Sequence, residues 1–156
     1  MDSFFTNWFR AFDKGLNRMS EQECSRLFSE CASQCAKDAI KHLYGDLFAA
    51  CEGNLDAFFR RLNEVDGVDG GVIEEGRIYE IIFESCSCDL HTQAQMDSSK
   101  LCECSRQSIL HELKELVPDR TFCVEKLESI LDGAPKCRFL ITDNSEVAVS
   151  RWFPHR

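Results

Sequence analysis

Val72-Ile73-Glu74-Glu75-Gly76-Arg77-Ile78-Tyr79-Glu80-Ile81-Ile82-Phe83 is the stretch that decides the fold. Before it, apolar residues recur at helical spacing. Within it the period drops to that of strands, on either side of a Glu75-Gly76 turn, which reads as a β-hairpin. The second arm is too apolar for an exposed edge and is expected inside a sheet. The cluster Asp66-Gly67-Val68-Asp69-Gly70-Gly71 just upstream excludes helix and reads as a turn that closes the helical half.

Moving toward the C-terminus, the hairpin delivers Cys86 and Cys88. In an extended strand residues two apart point the same way, so both thiols are expected on one side. Residues 89–100 follow, with only Leu90 and Met96 worth burying, and this run has little of its own to order it. Cys102 and Cys104 then open a helix that Ser105 can cap, with Ile109, Leu110, Leu113, Leu116 and Val117 on its face and Pro118 ending it. A helix N-terminus favours the thiolate and lowers a thiol's pKa. The next unit alternates over 122–131 and 136–141 around an Asp132-Gly133-Ala134-Pro135 turn, a second hairpin in which Cys137 shares the phase of Phe139 and Ile141. In the tail, Trp152-Phe153-Pro154 is a candidate for docking back.

Moving toward the N-terminus, Asn54 caps a helix over 54–65 with Leu55, Phe58, Phe59, Leu62 and Val65 on its face, and Cys51 before it reads as a packing thiol. The best-marked helix starts at the capping box Ser20-Glu21-Gln22-Glu23, with Gly45 as its natural stop. Cys24, Cys31, Cys35 and His42 fall within about 20° of one line along it. Such a line is either a core stripe, because free cysteine buries like a small hydrophobe, or a set of thiols reaching a shared site. Residues 3–17 form an aromatic amphipathic helix through Phe4, Phe5, Trp8, Phe9, Phe12 and Leu16. Its face packs on the domain's own core, serves as a contact with a second copy, or forms an arm covering a ligand pocket.

Composition narrows the function. A net charge of −9 argues against a nucleic-acid surface, which needs a dense basic footprint, and against an anionic membrane. No apolar run approaches the roughly 20 residues of a membrane span, and MDSFFTNWFR lacks the basic-then-apolar order of an export signal. The expected compartment is a reducing cytoplasm, where ten cysteines read as metal or redox sites rather than a disulfide framework. Two CxC pairs facing each other across a loop offer four soft ligands, suited to zinc or an iron–sulfur cluster. Disulfides, or inert burial, are the alternatives. No CxxC, GxSxG, P-loop, GxGxxG or HExxH occurs. His91 and His111 could supply a further ligand, and Glu84, Asp89 or Glu103 a general base beside a metal.

The order of Cys86, Cys88, Cys102, Cys104, Ser105, Val124, Ser129, Ile130, Gly133, Cys137, Phe139 and Ile141 resembles small cysteine-rich bacterial and archaeal proteins similar to the 4-vinyl reductase domain and to thiazoline carboxylate hydrolase-like proteins. Residues 30–36 resemble the cysteine-bearing first helix of that group. The resemblance implies helices against a curved antiparallel sheet with a small-molecule or metal pocket between them, and it supports the CxC pairs with Cys31 and Cys35 as the site.

The expected fold is therefore α+β: N-terminal helices packed on a curved antiparallel sheet of two hairpins with one intervening helix. One domain is expected over 1–156, divided into an aromatic helix (1–19), a helical part (20–65), a hairpin–CxC loop–helix–hairpin unit (66–142) and a tail (143–156). The expected function is a cytoplasmic binding or sensor domain holding zinc, an iron–sulfur centre or a small-molecule ligand at Cys86, Cys88, Cys102 and Cys104, with Cys31 and Cys35 nearby. The alternatives are a metal-assisted hydrolase or thiol oxidoreductase using the same cysteines, and a homodimeric scaffold with inert core cysteines.

Overall fold

The computed structural model describes residues 3–86 and 88–145. Ser87 and the tail's Trp152-Phe153-Pro154 lie outside the described residues. The architecture is α+β. Helices α1 (Ser3–Leu16) and α2 (Glu21–Ala39) lead through a π-helical turn, Ile40–Tyr44, into α3 (Gly45–Ala50) and α4 (Leu55–Arg60). Strands β1 (Val68–Glu74) and β2 (Ile78–Phe83) follow, then the short α5 (Asp89–Thr92), α6 (Cys102–Leu116), β3 (Phe122–Glu128) and β4 (Cys137–Asp143). The four strands form an open antiparallel sheet in the order β1-β2-β4-β3. The apolar second arm of the first hairpin thus has a neighbour on each side.

Tyr79 pairs with Ile141 and Ile81 with Phe139, so one face of β2 and β4 carries Tyr79, Ile81, Phe139 and Ile141, all buried. Phe58, Phe59, Leu62, Ile109 and Leu113 close over that face. Phe59 stacks on Tyr79 with ring centroids 4.5 Å apart.

Gly70 and Gly71, expected in a turn, lie inside β1. A Cβ on Gly70 would come 2.6 Å from Leu62 Cδ1 and 3.0 Å from the Phe59 carbonyl oxygen. The missing side chain is what lets the segment from α4 to Leu62 press onto the strand. The expected 54–65 helix is correspondingly split into α4 and a 3-10 turn, Leu62–Glu64.

Two further expectations are corrected in the helical half. Gly45 does not stop the second helix. Its N–H donates to the Ile40 carbonyl five residues back, and the chain winds on to Ala50. A Cβ at Gly45 would sit 2.5 Å from that same oxygen, so glycine is required by the wide turn rather than by a helix end. The buried face of α2 is Cys24, Phe28, Ala32 and Ala36, spaced four apart, while Cys31 and Cys35 are exposed. Of the cysteine line, Cys24 belongs to the core stripe and Cys31 and Cys35 do not, because the stripe continues through Ala32 and Ala36.

Residues 89–100 are ordered, against expectation, because α1 holds them from outside. The Asp13 carboxylate accepts the backbone N–H groups of Asp97 and Ser98, each at 3.2 Å. Ser98 Oγ donates to Asn17 Oδ1 at 2.7 Å, and Lys100 Nζ donates to the carbonyls of Asn17 and Met19. Beneath these contacts Met96 and Ala94 fill a second apolar cluster with Leu16, Cys24, Phe28 and Leu101. Phe9 and Phe12 pack on that cluster; Trp8 stacks on Phe12 with centroids 5.6 Å apart, and Phe4, Phe5 and Trp8 remain 65 %, 52 % and 53 % exposed.

Met96 is fully buried. Met96→Ala is expected to cost about 2–5 kcal/mol, and hydrogen exchange should show amides of 93–101 losing protection ahead of those in the sheet. Protection that falls evenly across the chain would refute its local role.

Candidate functional site

The sequence places its candidate ligands in two CxC pairs, and the fold splits one of those pairs. Residues two apart on a helix point nearly opposite ways, about 200° around the axis, so Cys102 and Cys104 at the start of α6 diverge. Cys102 turns to the sheet. Its sulfur meets Ser129 Oγ at 2.9 Å, and the Ser129 Oγ accepts the Leu131 N–H at 3.1 Å. Cys137 Sγ accepts the Ile130 N–H at 3.4 Å. Cys86, Cys88, Cys102 and Cys137 all line one small cavity of about 30 Å³, with Phe83 and Phe139. Cys137, read from the sequence as a core residue, is thus part of this group.

Cys104 turns instead toward the apolar cluster under α1 and toward α2. Burial pushes its pKa up to about 12, and neighbouring Cys35, Cys88 and Cys31 add to the rise. Burial also raises Cys86 and Cys102. The expected thiolate-favouring helix terminus does not operate at Cys102: the 3-10 turn Ser99–Leu101 runs into α6, and the Cys102 N–H is already bonded to the Ser99 and Lys100 carbonyls. Ser98 caps that turn, and Ser105 caps nothing there. Low-pKa nucleophilic chemistry is therefore disfavoured at these sulfurs. Among the described residues no three Cys, His, Asp or Glu groups lie close enough to hold one ion.

The other polar candidates are engaged elsewhere. His91 Nδ1 lies 2.8 Å from the Met96 carbonyl oxygen, and His111 Nε2 lies 3.3 Å from Ser29 Oγ. Glu103 is a strut rather than a general base. Burial raises its pKa, but hydrogen bonds from Arg106, Ser25 and Gln107 outweigh that and hold it below the usual range. Arg106 reaches it twice, at 2.8 and 2.6 Å. A groove of about 670 Å³ opens beside this network, lined by Glu21, Ser25, Lys100, Arg106 and Lys126. Each of its cations is already satisfied within the protein, Lys126 by Asp132 at 2.9 Å.

Sequence reading passed over a third place. Between the π-turn, α4, α6 and the sheet lies a cavity of about 20 Å³, lined chiefly by Phe58, Phe59, Ile109, Leu113 and Leu116, with Tyr44 and Glu112 as its polar members. One Glu112 oxygen accepts a 3.0 Å hydrogen bond from Ser108 Oγ. Burial raises the carboxyl to about pH 7, against a small lowering by Ser108. Burial also raises Tyr44. The π-turn aims Tyr44 here, and such turns recur at functional sites. A glutamate on the apolar face of α6, four residues after Ser108 and beside Leu113, was the available signal.

No family model and no curated protein matches the chain. Among solved structures it is similar to the phenol-responsive sensory domain of the transcription activator PoxR, determined with phenol. The TM-score is 0.51 at 15 % identity, covering 97 % of this chain and 82 % of that one. At this identity the likeness is one of fold. No helix among the described residues is long and apolar enough to cross a membrane.

Glu112 has a pH signature. Its folded pKa near 7 lies above the ordinary 4.5, so the folded state holds the proton more tightly. Its contribution to stability is full below about pH 4.5 and is lost as pH rises through 7. Glu112→Gln should remove that part of the decline. Between pH 5 and 8 its unfolding free energy should fall less than that of the parent, by on the order of 1 kcal/mol or more. Parallel curves would show that the carboxyl is not buried in solution.

Proposed function

We propose that this chain is a sensory domain that binds a small, mainly apolar molecule in the cavity beside Tyr44 and Glu112. The observation that carries the reading is the meeting, at one internal space, of an aromatic lining, a π-turn and a carboxyl that has no cation paired with it among the described residues. Ligand sites are typically apolar with a few placed polar groups. The fold shared with a phenol-responsive sensory domain supports the same reading.

The cavity's 20 Å³ has room for about one water, whereas benzene occupies engineered cavities of about 150 Å³. Ligand entry therefore requires the lining to open. The π-turn, whose hydrogen bonding departs from that of the flanking helices, is the place where α2 and α3 can shift, and that movement would report occupancy.

The test is calorimetry and thermal shift with small aromatic and aliphatic probes, phenol among them. A ligand held at 100 times its Kd raises stability by about 2.7 kcal/mol. Leu116→Phe, which crowds the cavity, should cost about 1–3 kcal/mol and abolish that gain. No stabilisation by any probe, or an equal response in Leu116→Phe, would sink the reading.

A soft metal is the second reading, favoured by the four sulfurs of Cys86, Cys88, Cys102 and Cys137 around one space. It needs the segment 84–89 to draw in toward α6. Zinc or an iron–sulfur centre there would stiffen the sensor rather than catalyse. Metal content of anaerobically purified protein should then fall in Cys102→Ala and hold in Cys51→Ala, whose buried thiol does not line that cavity. Equal content in both variants would eliminate it.

A further inference from the structure

Glu112 is a charge-bearing group without a counter-charge. Among the described residues it forms no ion pair, and the one hydrogen bond it receives comes from Ser108, four residues back on its own helix. The titratable groups that face it are Cys35, exposed on α2 but with its pKa raised by partial desolvation, and Tyr44 on the π-turn, raised by burial. α4 and the sheet present only Phe58, Phe59, Leu62, Ile81 and Ile141 to the cavity.

Moving a carboxylate out of water without a partner is costly, and proteins usually relieve that cost with a paired cation. Among the described residues no cation is paired with the half-buried Glu112, although Lys and Arg number 18 in the whole chain. The lining adds two rings, Tyr44 and Phe58, with centroids 6.1 Å apart at 83°. An anion flanked by aromatic rings complements a cation on an apolar body, because the ring quadrupole and the carboxylate both attract positive charge. A neutral hydroxyl could hydrogen-bond to the carboxylate but would leave its charge uncompensated. The cavity as it stands, about 20 Å³, fits a group the size of water or ammonium.

Resting on the sensory reading above, we propose that the ligand of this cavity is a small apolar primary amine, its ammonium paired with the Glu112 carboxylate beside Tyr44 and Phe58. The amine enters protonated. Glu112, where it carries a proton, releases it to solvent as the ion pair forms, and no covalent bond changes. Near pH 6 the complex therefore forms with release of close to one proton, and near pH 8 with almost none.

Benzylamine and benzyl alcohol, nearly isosteric, test this by isothermal calorimetry on the full chain. Measurements at pH 6 in two buffers of different ionisation enthalpy count the protons. Benzylamine should bind at least tenfold tighter than the alcohol at pH 8 and release protons at pH 6. Glu112→Gln should erase both the preference for the amine and the proton release. If the alcohol binds as well as the amine, or if Glu112→Gln keeps the preference, the amine assignment is overturned and the sensory reading stands. If neither compound nor any neutral aromatic binds, both fall.

Discussion

One guanidinium joins the three elements on which the rest of the structure leans. Arg106 on α6 grips Glu103 in a two-pronged ion pair, donates to Ser25 Oγ on α2 at 3.0 Å and reaches the Val124 carbonyl on β3 at 3.3 Å. Ser25 in turn donates to Glu103 at 2.6 Å. The pair is about three-quarters buried, with side-chain exposures of 26 % and 19 %, so it is screened less than a surface bridge and its geometry counts for more. Because α6 carries Cys102 and Cys104 at one end and Glu112 and Leu116 at the other, its register against α2 and the sheet sets both candidate sites together. Slipping α6 by one residue would turn Glu112 by about 100° away from its cavity.

The coarse architecture was open to reading because it rests on local signals. The capping box at Ser20 and Glu23 is present with both hydrogen bonds. The change of period at Val72 marks where helices give way to the sheet, and the Glu75-Gly76 turn falls between the first two strands. What escaped depends on partners distant in sequence. Gly70 and Gly71 look like a turn until Leu62 and Phe59 are known to press against them. The run 89–100 looks unstructured until Asp13, more than eighty residues earlier, is seen to hold its backbone. The side of α2 that is buried follows from where α6 lies, and no periodicity within α2 distinguishes the Cys31–Cys35 side from the Ala32–Ala36 side by apolarity alone.

The candidate site shows the same division. Cysteine spacing drew the eye to the CxC pairs, and the fold does gather Cys86, Cys88 and Cys102 at one cavity. The helix that holds Cys102 turns Cys104 out of that cavity toward α2, where Cys35, Cys31 and Cys88 are its neighbours, and Cys137, which joins Cys102 at the cavity, comes from a strand whose alternation had marked it as core. Glu112 was harder to find. Its chemistry comes from having no cation paired with it among the described residues, and such a lack leaves no mark on a sequence with 27 acidic residues.

The five-residue turn Ile40–Tyr44 has a consequence for how this fold tolerates change in length. A π-turn holds one residue more than the regular winding would need, and Gly45 is what allows the surplus to close against Ile40. A version of the chain lacking any one of residues 40–43 could run straight from α2 into α3 with regular winding. Its tyrosine would then swing about a quarter-turn off the cavity's rim, giving a chain that folds normally yet has lost the polar mouth of its chamber.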